Sequence, residues 1–370
     1  MGYLMLPDED RVHYPPQPKT VLIVGIAGQD GSYLAEHLLA LGHRVHGTVR
    51  REPAEIHERL RHIREDITLH HLDLLDGRPL TQMLEEVQPE RVFNLAGVPS
   101  AAWSYRRPVY CAELDGLGVT RLLEAIRQAN PRIRLFQASS SAIFGSGPPG
   151  GSPRDEEAPI HPRSPYGIAK AYAHFITAHY RERYDLYAVN GILFPHTSPR
   201  QSLHHFTRRI TFAAARARLG ETSELVLGDL AGRLDLGFAG DYAEAMWGAL
   251  QPSSPSDYVI GTGAAHSVAE LVGMAFDYVG IDWREHVSVD PSGPVEQAEG
   301  LLADSGRASC AFGWRPKVGC EQLIQAMIVS EFYRLETVRR DPWRYVASTT
   351  AAAIRGPRPN WPLGKKRRFG

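Results

Sequence analysis

The sequence predicts an α/β fold built on a doubly wound parallel sheet, with a smaller C-terminal lobe. From Thr20 to Phe194, short apolar runs alternate with amphipathic stretches, which is the pattern of repeated β-α-β units. A glycine-rich turn joins the first apolar run to the first amphipathic stretch. After about residue 195 the alternation weakens and prolines and glycines become more frequent, which indicates a separate and less regular lobe.

The regular elements follow one another along the first half of the chain. Apolar runs rich in Val, Ile, Leu and Phe predict strands at residues 21–25, 44–49, 67–74, 91–97, 134–139 and 188–194. Amphipathic spacing predicts helices at residues 31–41, 119–128 and 166–184, with shorter helical segments on either side of the third strand. The segment DYAEAMW at 241–247 has the apolar spacing of a core helix, and we assign it to the smaller lobe.

These elements predict a division of the chain into four parts. Residues 1–18 form a polar extension, because Pro15, Pro16 and Pro18 support neither a helix nor a central strand. Residues 19–195, joined by returning segments at about 235–265, form a dinucleotide-binding (Rossmann) domain. Residues 196–340 form mainly a substrate-binding lobe. The tail at 341–370, which carries KKRR at 365–368, is predicted to be a solvated surface extension.

Charge and composition exclude several classes of protein. The formal net charge is −1, with 43% hydrophobic and 22% charged residues, so neither a nucleic acid nor a membrane surface is indicated as a partner. Cys111, Cys310 and Cys320 lie far apart, and we expect reduced thiols in the cytoplasm with no disulfide and no metal site. The N-terminus has acids and prolines where a signal peptide needs an apolar run, and no stretch reaches the roughly 20 apolar residues of a membrane span.

The glycine-rich turn is a candidate phosphate-binding site. In VLIVGIAGQDGSYLAEHLL, Gly25, Gly28 and Gly31 lie between a buried strand and a helix, where glycine lets backbone N–H groups approach a pyrophosphate. Gln29 and Asp30 lie in the same turn. A GxxGxxG spacing alone also arises in ordinary strand-helix connections, but its place at the first strand favours NAD(P) as a cofactor.

The end of the second strand bears on the choice of cofactor. Val49 stands where many NAD-binding sheets carry a carboxylate, and Arg50, Arg51 and Glu52 follow it. The arginines favour NADP slightly over NAD, although a solvated charge cluster would have the same sequence. Further candidate cofactor contacts follow the third and fourth strands: Asp73, Leu74, Leu95, Ala96 and Gly97. For Asp73, stabilisation of a turn is an equally good interpretation.

A tyrosine and a lysine one helical turn apart are the candidate catalytic residues. A phenolate that accepts a proton from a secondary alcohol needs a nearby cation, and Tyr166 and Lys170 have the required i, i+4 spacing. The serines of FQASSS, Ser139 to Ser141, follow a predicted strand, where a hydroxyl can hold the substrate oxygen. We select Ser140 as the catalytic serine, and the alternative for each serine is a plain serine-rich turn.

These motifs together resemble the extended short-chain dehydrogenase/reductase superfamily, also described as the NAD-dependent epimerase/dehydratase family. The detailed run of residues is most similar to GDP-mannose 4,6-dehydratases, over about residues 20–330. The matching stretches are GIAGQDGSYLAEHLL, HGTVRR, FQASSS, PRSPYGIAKAYA, YAVNGILF, SPR at 198–200, FTRRI, DYAEAMW and FGWRPKV. The resemblance implies a nucleotide-sugar substrate and a cytoplasmic enzyme. It also implies a homodimer, possibly a tetramer, paired through the Tyr166 helix and the helix near 115–128.

The resemblance also supplies further candidate site residues. Leu193 and His196 join Tyr166 and Lys170 as expected cofactor contacts. The expected substrate contacts are Ser100, Ser139, Ser141, Ala142, Pro195, Arg200, Arg208 and Arg233. Several positions depart from the dehydratase pattern. Pro195 and Thr197 stand where the dehydratases have an asparagine and a glutamate. Leu234 stands where they have an arginine, although the neighbouring Arg233 could reach the same phosphate. Gly293 matches a second arginine of the family.

The departure at Ala142 leads to an expectation about the reaction. Where the dehydratases have a glutamate that transfers protons at C5 and C6 of the sugar, this chain has alanine, and its SSSA motif resembles nucleotide-sugar 4-epimerases. The expected function is therefore 4-epimerisation of a GDP-linked hexose or longer-chain sugar through transient oxidation at C4. A 4,6-dehydratase, an NADPH-dependent 4-ketosugar reductase and a non-catalytic cofactor-sensing module remain as alternatives.

Overall fold

The computed structural model describes residues 18–50, 58–76, 78–98, 101–147, 151–221, 224–290 and 300–340. Most of the predicted N-terminal extension and the predicted tail lie outside these ranges. Of the candidate site residues, Arg51 and Ser100 lie outside the described part, as do Glu52 and Gly293.

A seven-stranded parallel sheet forms the centre of the described structure and confirms the predicted fold class. Its spatial order is β3-β2-β1-β4-β5-β6-β11, so the chain reverses direction across the sheet after β3, as in doubly wound folds. The strands are β1 (Thr20–Val24), β2 (Arg44–Val49), β3 (Ile67–His71), β4 (Arg91–Asn94), β5 (Arg134–Ser140), β6 (Ala188–Leu193) and β11 (Tyr258–Ile260).

Eleven α-helices are described in these ranges. They are α1 (Gln29–Ala40), α2 (Arg78–Val87), α3 (Ala101–Arg106), α4 (Pro108–Cys111), α5 (Gly118–Ala129), α6 (Pro165–Tyr184), α7 (Phe206–Arg218), α8 (Ala239–Gly248), α9 (Val268–Val279), α10 (Gly306–Phe312) and α11 (Cys320–Arg340). A π-helical turn at Ala112–Leu117 joins α4 to α5, and short 3₁₀ helices lie at Arg61–Asp66, Ser141–Phe144 and Trp283–Glu285. None of the described helices combines the length and the apolar character needed to cross a bilayer.

Both faces of the sheet are covered, because side chains alternate between faces along each strand. In β1, Val21 and Ile23 pack into the cluster that contains α1 and α8, whereas Leu22 and Val24 pack into the cluster that contains α2, α5 and α6. Every β1 residue is buried, which explains why this strand reads as a continuous apolar run. The parallel sheet and its two helical layers follow directly from this pattern.

The segment DYAEAMW forms a buried helix as predicted, but its predicted place in the smaller lobe is wrong. It lies in α8, which packs against α1 on the face of the central sheet. Trp247 is fully buried there, with its ring centroid 4.5 Å from that of His43 and 6.5 Å from that of Phe93 in β4. The apolar spacing identified the helix, whereas its partner could not be read from the spacing.

After β6 the chain forms three short strand pairs and returns once to the central sheet. The pairs are β7 (His196–Thr197) with β10 (Gly237–Phe238), β9 (Arg233–Asp235) with β12 (Ala265–Ser267), and β8 (Leu225–Leu227) with β13 (Val287–Val289). Strand β11 supplies the return, and α7, α9 and α11 pack together. The exact division into two lobes remains a prediction.

The carboxyl ends of the parallel strands position the candidate site. In the pairing of β5 with β6, Ser139 lies opposite Ile192 and Ser140 lies opposite Leu193. The loops that follow these two strands therefore begin side by side at one edge of the sheet. In open α/β sheets, ligands bind at this carboxyl edge.

Candidate active site

The structure brings Ser140, Tyr166 and Lys170 together at the carboxyl edge of the sheet. Ser140 ends β5, and its Oγ accepts the N–H of Ala142 at 3.2 Å, which starts the 3₁₀ turn. Helix α6 begins beside it, because Ser164 Oγ caps the Gly167 N–H at 3.0 Å and Pro165 occupies the first turn. Tyr166 and Lys170 therefore lie in the first two turns of α6.

The Tyr166 hydroxyl is held between opposing electrostatic effects. Burial raises its pKa, while the Lys170 ammonium and a hydrogen bond with Ser140 act in the opposite direction. Lys170 Nζ lies 5.6 Å from the centroid of the Tyr166 ring. A positive charge at this distance favours the phenolate, so the arrangement suits a tyrosine that exchanges a proton with a substrate hydroxyl.

Asp115 is a residue of this site that the sequence analysis did not select. Its Oδ1 lies 3.2 Å from Lys170 Nζ, and both side chains are buried, with 0% and 5% of their surface exposed. Lys170 Nζ also donates to the Ala138 carbonyl at 3.0 Å. Although burial disfavours the ammonium, Tyr166 and Asp115 raise the pKa of Lys170 above its ordinary value. The pair therefore keeps Lys170 charged beside Tyr166.

The local backbone explains how a carboxylate reaches this buried position. Asp115 lies in the π-helical turn, and its Oδ2 accepts the Val98 N–H at 3.1 Å. Gly97 has to be glycine, because a Cβ there would lie 2.5 Å from Asp115 Oδ1. The signal in the sequence is an acid in the otherwise apolar stretch LDGLGV at 114–119, which is unusual for a helix that packs on a core.

The glycine turn has the geometry of a pyrophosphate cradle. Gly25 has a φ of +88°, and a Cβ there would lie 3.0 Å from the Ala96 backbone nitrogen. A Cβ on Gly31 would lie 2.6 Å from the Gly25 carbonyl oxygen, so Gly31 allows the helix to pack against the turn. Gly28 is the N-cap of α1, and no side chain caps this helix. Its first N–H groups and its dipole are thus available to an anion, and the residues fit a dinucleotide.

The loop after β6 is joined to α1 at three alternate residues. His196 Nε2 lies 3.0 Å from Asp30 Oδ2, Ser198 Oγ donates to Gln29 Oε1 at 2.8 Å, and Arg200 donates to Ser32 Oγ at 3.0 Å. The structure therefore brings together the predicted cofactor residues Gln29, Asp30 and His196.

The charge of His196 follows from its partners. Its Nδ1 lies 2.8 Å from the Phe194 carbonyl, so both ring nitrogens face acceptors, which favours the imidazolium form. Burial opposes this charge, but Asp30 and the carbonyl raise the pKa of His196 overall. Burial raises the pKa of Asp30, but His196, Gln29 and Arg59 together outweigh burial and lower it overall. A buried ion pair therefore links the cofactor turn to the loop after β6.

Other predicted cofactor residues lie around this turn. Arg50 is exposed at the end of β2 and contacts the Tyr110 hydroxyl. Asp73 Oδ1 accepts the Leu75 N–H at 3.1 Å, which is the turn-stabilising role weighed above. Leu74 is buried, and Leu95 and Ala96 follow β4 close to the glycine turn. Their contacts with a cofactor remain predictions.

The predicted substrate residues are less concentrated. Ser139, Ser141 and Ala142 are buried beside Ser140, and Pro195 follows β6. Arg200 is bound to α1 as described above. Arg208 Nε forms a buried ion pair with Glu331 of α11 at 2.7 Å, and its Nη1 donates to the Gln201 carbonyl. A contact of Arg208 with the substrate remains a prediction. Arg233 is 38% exposed in its side chain and donates to the Ala265 carbonyl at 2.6 Å.

Known proteins resemble this chain over most of its length. The profile of the GDP-mannose 4,6 dehydratase family matches residues 22–327. The chain belongs to this family. GDP-mannose 4,6 dehydratase 1 of Arabidopsis thaliana is 43% identical over 337 residues, covering 87% of this chain and 91% of its own. The human GDP-mannose 4,6 dehydratase is 38% identical and covers 88% of this chain and 94% of its own.

Solved structures share the architecture. The UDP-glucose 4-epimerase of Thermus thermophilus, in complex with NAD, has a TM-score of 0.72 and 28% identity, covering 85% of this chain and 98% of its own. The dTDP-glucose 4,6-dehydratase of Bacillus anthracis has a TM-score of 0.74 at 20% identity, covering 87% of this chain and 97% of its own, which supports the fold alone.

The family membership shows that the predicted 4-epimerase function is wrong. That prediction depended on one position, Ala142, and on its likeness to an SSSA motif. The Arabidopsis and human relatives, at 43% and 38% identity over most of the chain, are GDP-mannose 4,6 dehydratases. Ala142 is therefore a substitution within a dehydratase framework, and it does not place the chain among the epimerases.

The buried ion pair gives a test of the site that needs no substrate. We expect Asp115→Asn and Lys170→Met each to lower the free energy of unfolding by about 3 kcal/mol, because each leaves the other group buried without its partner. The double variant should lose less than the sum, by about 1–3 kcal/mol. Urea unfolding of the four proteins measures this coupling. Asp282→Asn, which breaks an exposed pair with Arg284, is the control and should change little. Strict additivity would contradict the pairing.

Proposed function

We propose that the protein is an NAD(P)-dependent 4,6-dehydratase of a GDP-linked hexose, with GDP-mannose as the first substrate to test. One observation carries the proposal. Ser140, Tyr166 and Lys170 meet at the carboxyl edge of the sheet, in a chain that is 43% identical to an Arabidopsis GDP-mannose 4,6 dehydratase over 337 residues. The glycine turn beside them fits the pyrophosphate of the cofactor, and the exposed Arg50 at the end of β2 favours NADP slightly over NAD.

The first step is oxidation of the sugar at C4. The Tyr166 phenolate accepts the proton of the C4 hydroxyl, Lys170 stabilises the phenolate, and Ser140 Oγ holds the substrate oxygen by a hydrogen bond. When bound, the oxidised nicotinamide accepts the hydride that leaves C4. Tyr166 is partly buried, so its hydroxyl remains accessible to the substrate while its ring packs against the core.

The second step is loss of water across C5 and C6. The C4 ketone makes the C5 hydrogen acidic; that proton and the C6 hydroxyl leave as water. Return of the hydride to C6, which the bound cofactor would supply, and of a proton to C5 would give a 4-keto-6-deoxy sugar without net oxidation. Ala142 is 6% exposed beside Ser140, and its methyl group cannot transfer a proton. We therefore expect this elimination to be slow and to depend on solvent for its proton transfers.

The proposal is tested with GDP-mannose and catalytic NADP in deuterated water, followed by mass spectrometry and NMR. The wild type should form a 4-keto-6-deoxy product with deuterium at C5. Ala142→Glu should accelerate water loss by about 10²- to 10⁴-fold, the usual contribution of a general acid or base. Ala142→Gln, of similar volume, should not. A product of unchanged mass, or sugar oxidation that stops once the catalytic NADP is reduced, would contradict the proposal.

We further propose that the enzyme is a dimer paired through α6. Ile168, Tyr172 and Phe175 are 58%, 42% and 58% exposed, and their spacing places them on one face of this helix. Val109 of α4, 75% exposed, belongs to the neighbouring helix packed against α6. An apolar face of this kind on a soluble enzyme indicates a protein partner, and a second copy can present the same face symmetrically.

The dimer is tested by sedimentation. Ile168→Glu and Phe175→Glu should convert a dimeric wild type to a monomer, because each places a charge in the apolar contact. Leu203→Glu alters an apolar side chain of similar exposure, 42%, away from this face and should leave the dimer intact. A monomeric wild type, or variants that sediment as the wild type does, would refute this assembly.

A further inference from the structure

Arg154 is a half-buried arginine that pairs with none of the carboxylates in the described part of the chain. Its Nε is buried and makes no hydrogen bond, and within the described ranges its guanidinium forms no ion pair. Nearby arginines differ: Arg307 pairs with Glu157 at 2.7 Å, and Arg181 pairs with Asp257 at 2.7 Å. Removing a cation from water without a counter-charge is costly, so such a group indicates an anionic ligand.

Hydrogen bonds fix the backbone of Arg154 to residues 302–304, and further hydrogen bonds fix that segment to Asp235. Its N–H donates to the Leu302 carbonyl at 2.7 Å, and its carbonyl accepts the Asp304 N–H at 2.9 Å. Between these two residues, the Ala303 N–H donates to Asp235 Oδ2 at 3.2 Å. Asp235 is fully buried and also accepts the backbone N–H groups of Thr262 and Gly263, both at 2.8 Å. The backbone of Arg154 is therefore held in a fixed position by a segment that is itself hydrogen-bonded to a buried carboxylate.

The guanidinium lies between the catalytic loop and the loop beside Arg233. A Cβ added to Gly147 would lie 3.6 Å from Arg154 Nη2 and 3.7 Å from the Gly300 carbonyl oxygen. Gly147 follows the 3₁₀ turn that starts at Ser140. On the other side, the Gly300 N–H donates to the Arg233 carbonyl at 3.0 Å. Arg154 thus connects the serine end of the site with the region where Arg233 is a candidate phosphate contact.

We propose that Arg154 binds the β-phosphate of the nucleotide-sugar substrate, with Arg233 nearer the α-phosphate. The inference rests on the proposed function, because it requires a nucleoside diphosphate to bridge these loops. The β-phosphate is bonded to the sugar, and the sugar has to lie beside Ser140. Arg154 lies close to Gly147, which follows the turn that starts at Ser140, so Arg154 is the arginine nearer the β-phosphate. A planar guanidinium suits two phosphate oxygens at once. Arg154 then compensates in part for Leu234, where the family has an arginine.

The test compares binding of GDP and GMP by isothermal titration calorimetry, without turnover. Arg154→Gln should weaken GDP binding by about 10- to 100-fold, the loss expected for a hydrogen bond between charged groups. GMP, which lacks the β-phosphate, should bind with nearly unchanged affinity. Arg154→Lys keeps the charge without the planar fork and should give an intermediate loss for GDP.

Arg307→Gln is the matched control, because Arg307 is a neighbouring arginine whose charge is already paired with Glu156 and Glu157. It should leave GDP binding close to that of wild type, because the Arg307 charge is already neutralised by these two carboxylates. Unchanged GDP binding by Arg154→Gln, or equal losses of GDP and GMP, would overturn the assignment. If Arg154→Gln does not fold, Arg154→Lys applies the same criterion.

Failure of the proposed function gives a different result. A wild type that binds UDP or dTDP in place of GDP would refute the guanosine substrate. Binding of that nucleoside diphosphate and of its monophosphate to Arg154→Gln would then be compared in the same way. The two conclusions are therefore decided by separate observations.

Discussion

The buried ion pair between Lys170 and Asp115 is the interaction on which the rest of the site depends. An ammonium that is 5% exposed would lose its charge without a counter-ion, and Asp115 provides one at 3.2 Å. Several features of the fold serve this contact: the π-helical turn that carries Asp115, the absence of a side chain at Gly97, and the carbonyl at the end of β5 that accepts from Lys170. The charged lysine in turn favours ionisation of Tyr166, so the chemistry at C4 follows from this pair.

A second ion pair joins the two halves of the site. Asp30 lies in the cofactor turn, and His196 begins the loop that leads into the predicted substrate lobe. Because His196 is held between two acceptors, its charged form is favoured by the fold. The contact of Ser198 with Gln29 extends the same junction. A rearrangement of the cofactor turn would therefore also move the residues at the start of the predicted substrate-binding segment.

Local patterns made the fold and the proposed catalytic residues predictable. The alternation of apolar runs gave the parallel sheet, and Tyr166 and Lys170 lie four residues apart on one helix, so their proximity needs no tertiary knowledge. Asp115 and Arg154 could not be found in this way. Asp115 meets Lys170 across 55 residues of sequence, and only the structure shows that Arg154 forms no ion pair with the described residues around it.

Ala142 shows a different limit of prediction from sequence. An alanine side chain has no group that can transfer a proton, but a reaction inferred from that one position is outweighed by a likeness that spans residues 22–327. The predicted substrate contacts include a similar substitution, because Leu234 stands where the resemblance implies an arginine, and Arg233 lies beside it. In the proposed function, Ser140, Tyr166 and Lys170 supply the oxidation at C4, while the substituted positions around them affect the later steps and substrate binding.

The most direct test of this account is the pH dependence of cofactor reduction in a single turnover with GDP-mannose, followed by absorbance. If Lys170 lowers the pKa of Tyr166, then Lys170→Met raises that pKa and leaves less phenolate at a given pH. The rate of the variant should fall at least about tenfold at neutral pH and keep rising at pH values where the wild type has levelled off. The same pH profile in both proteins would contradict the central role of the lysine.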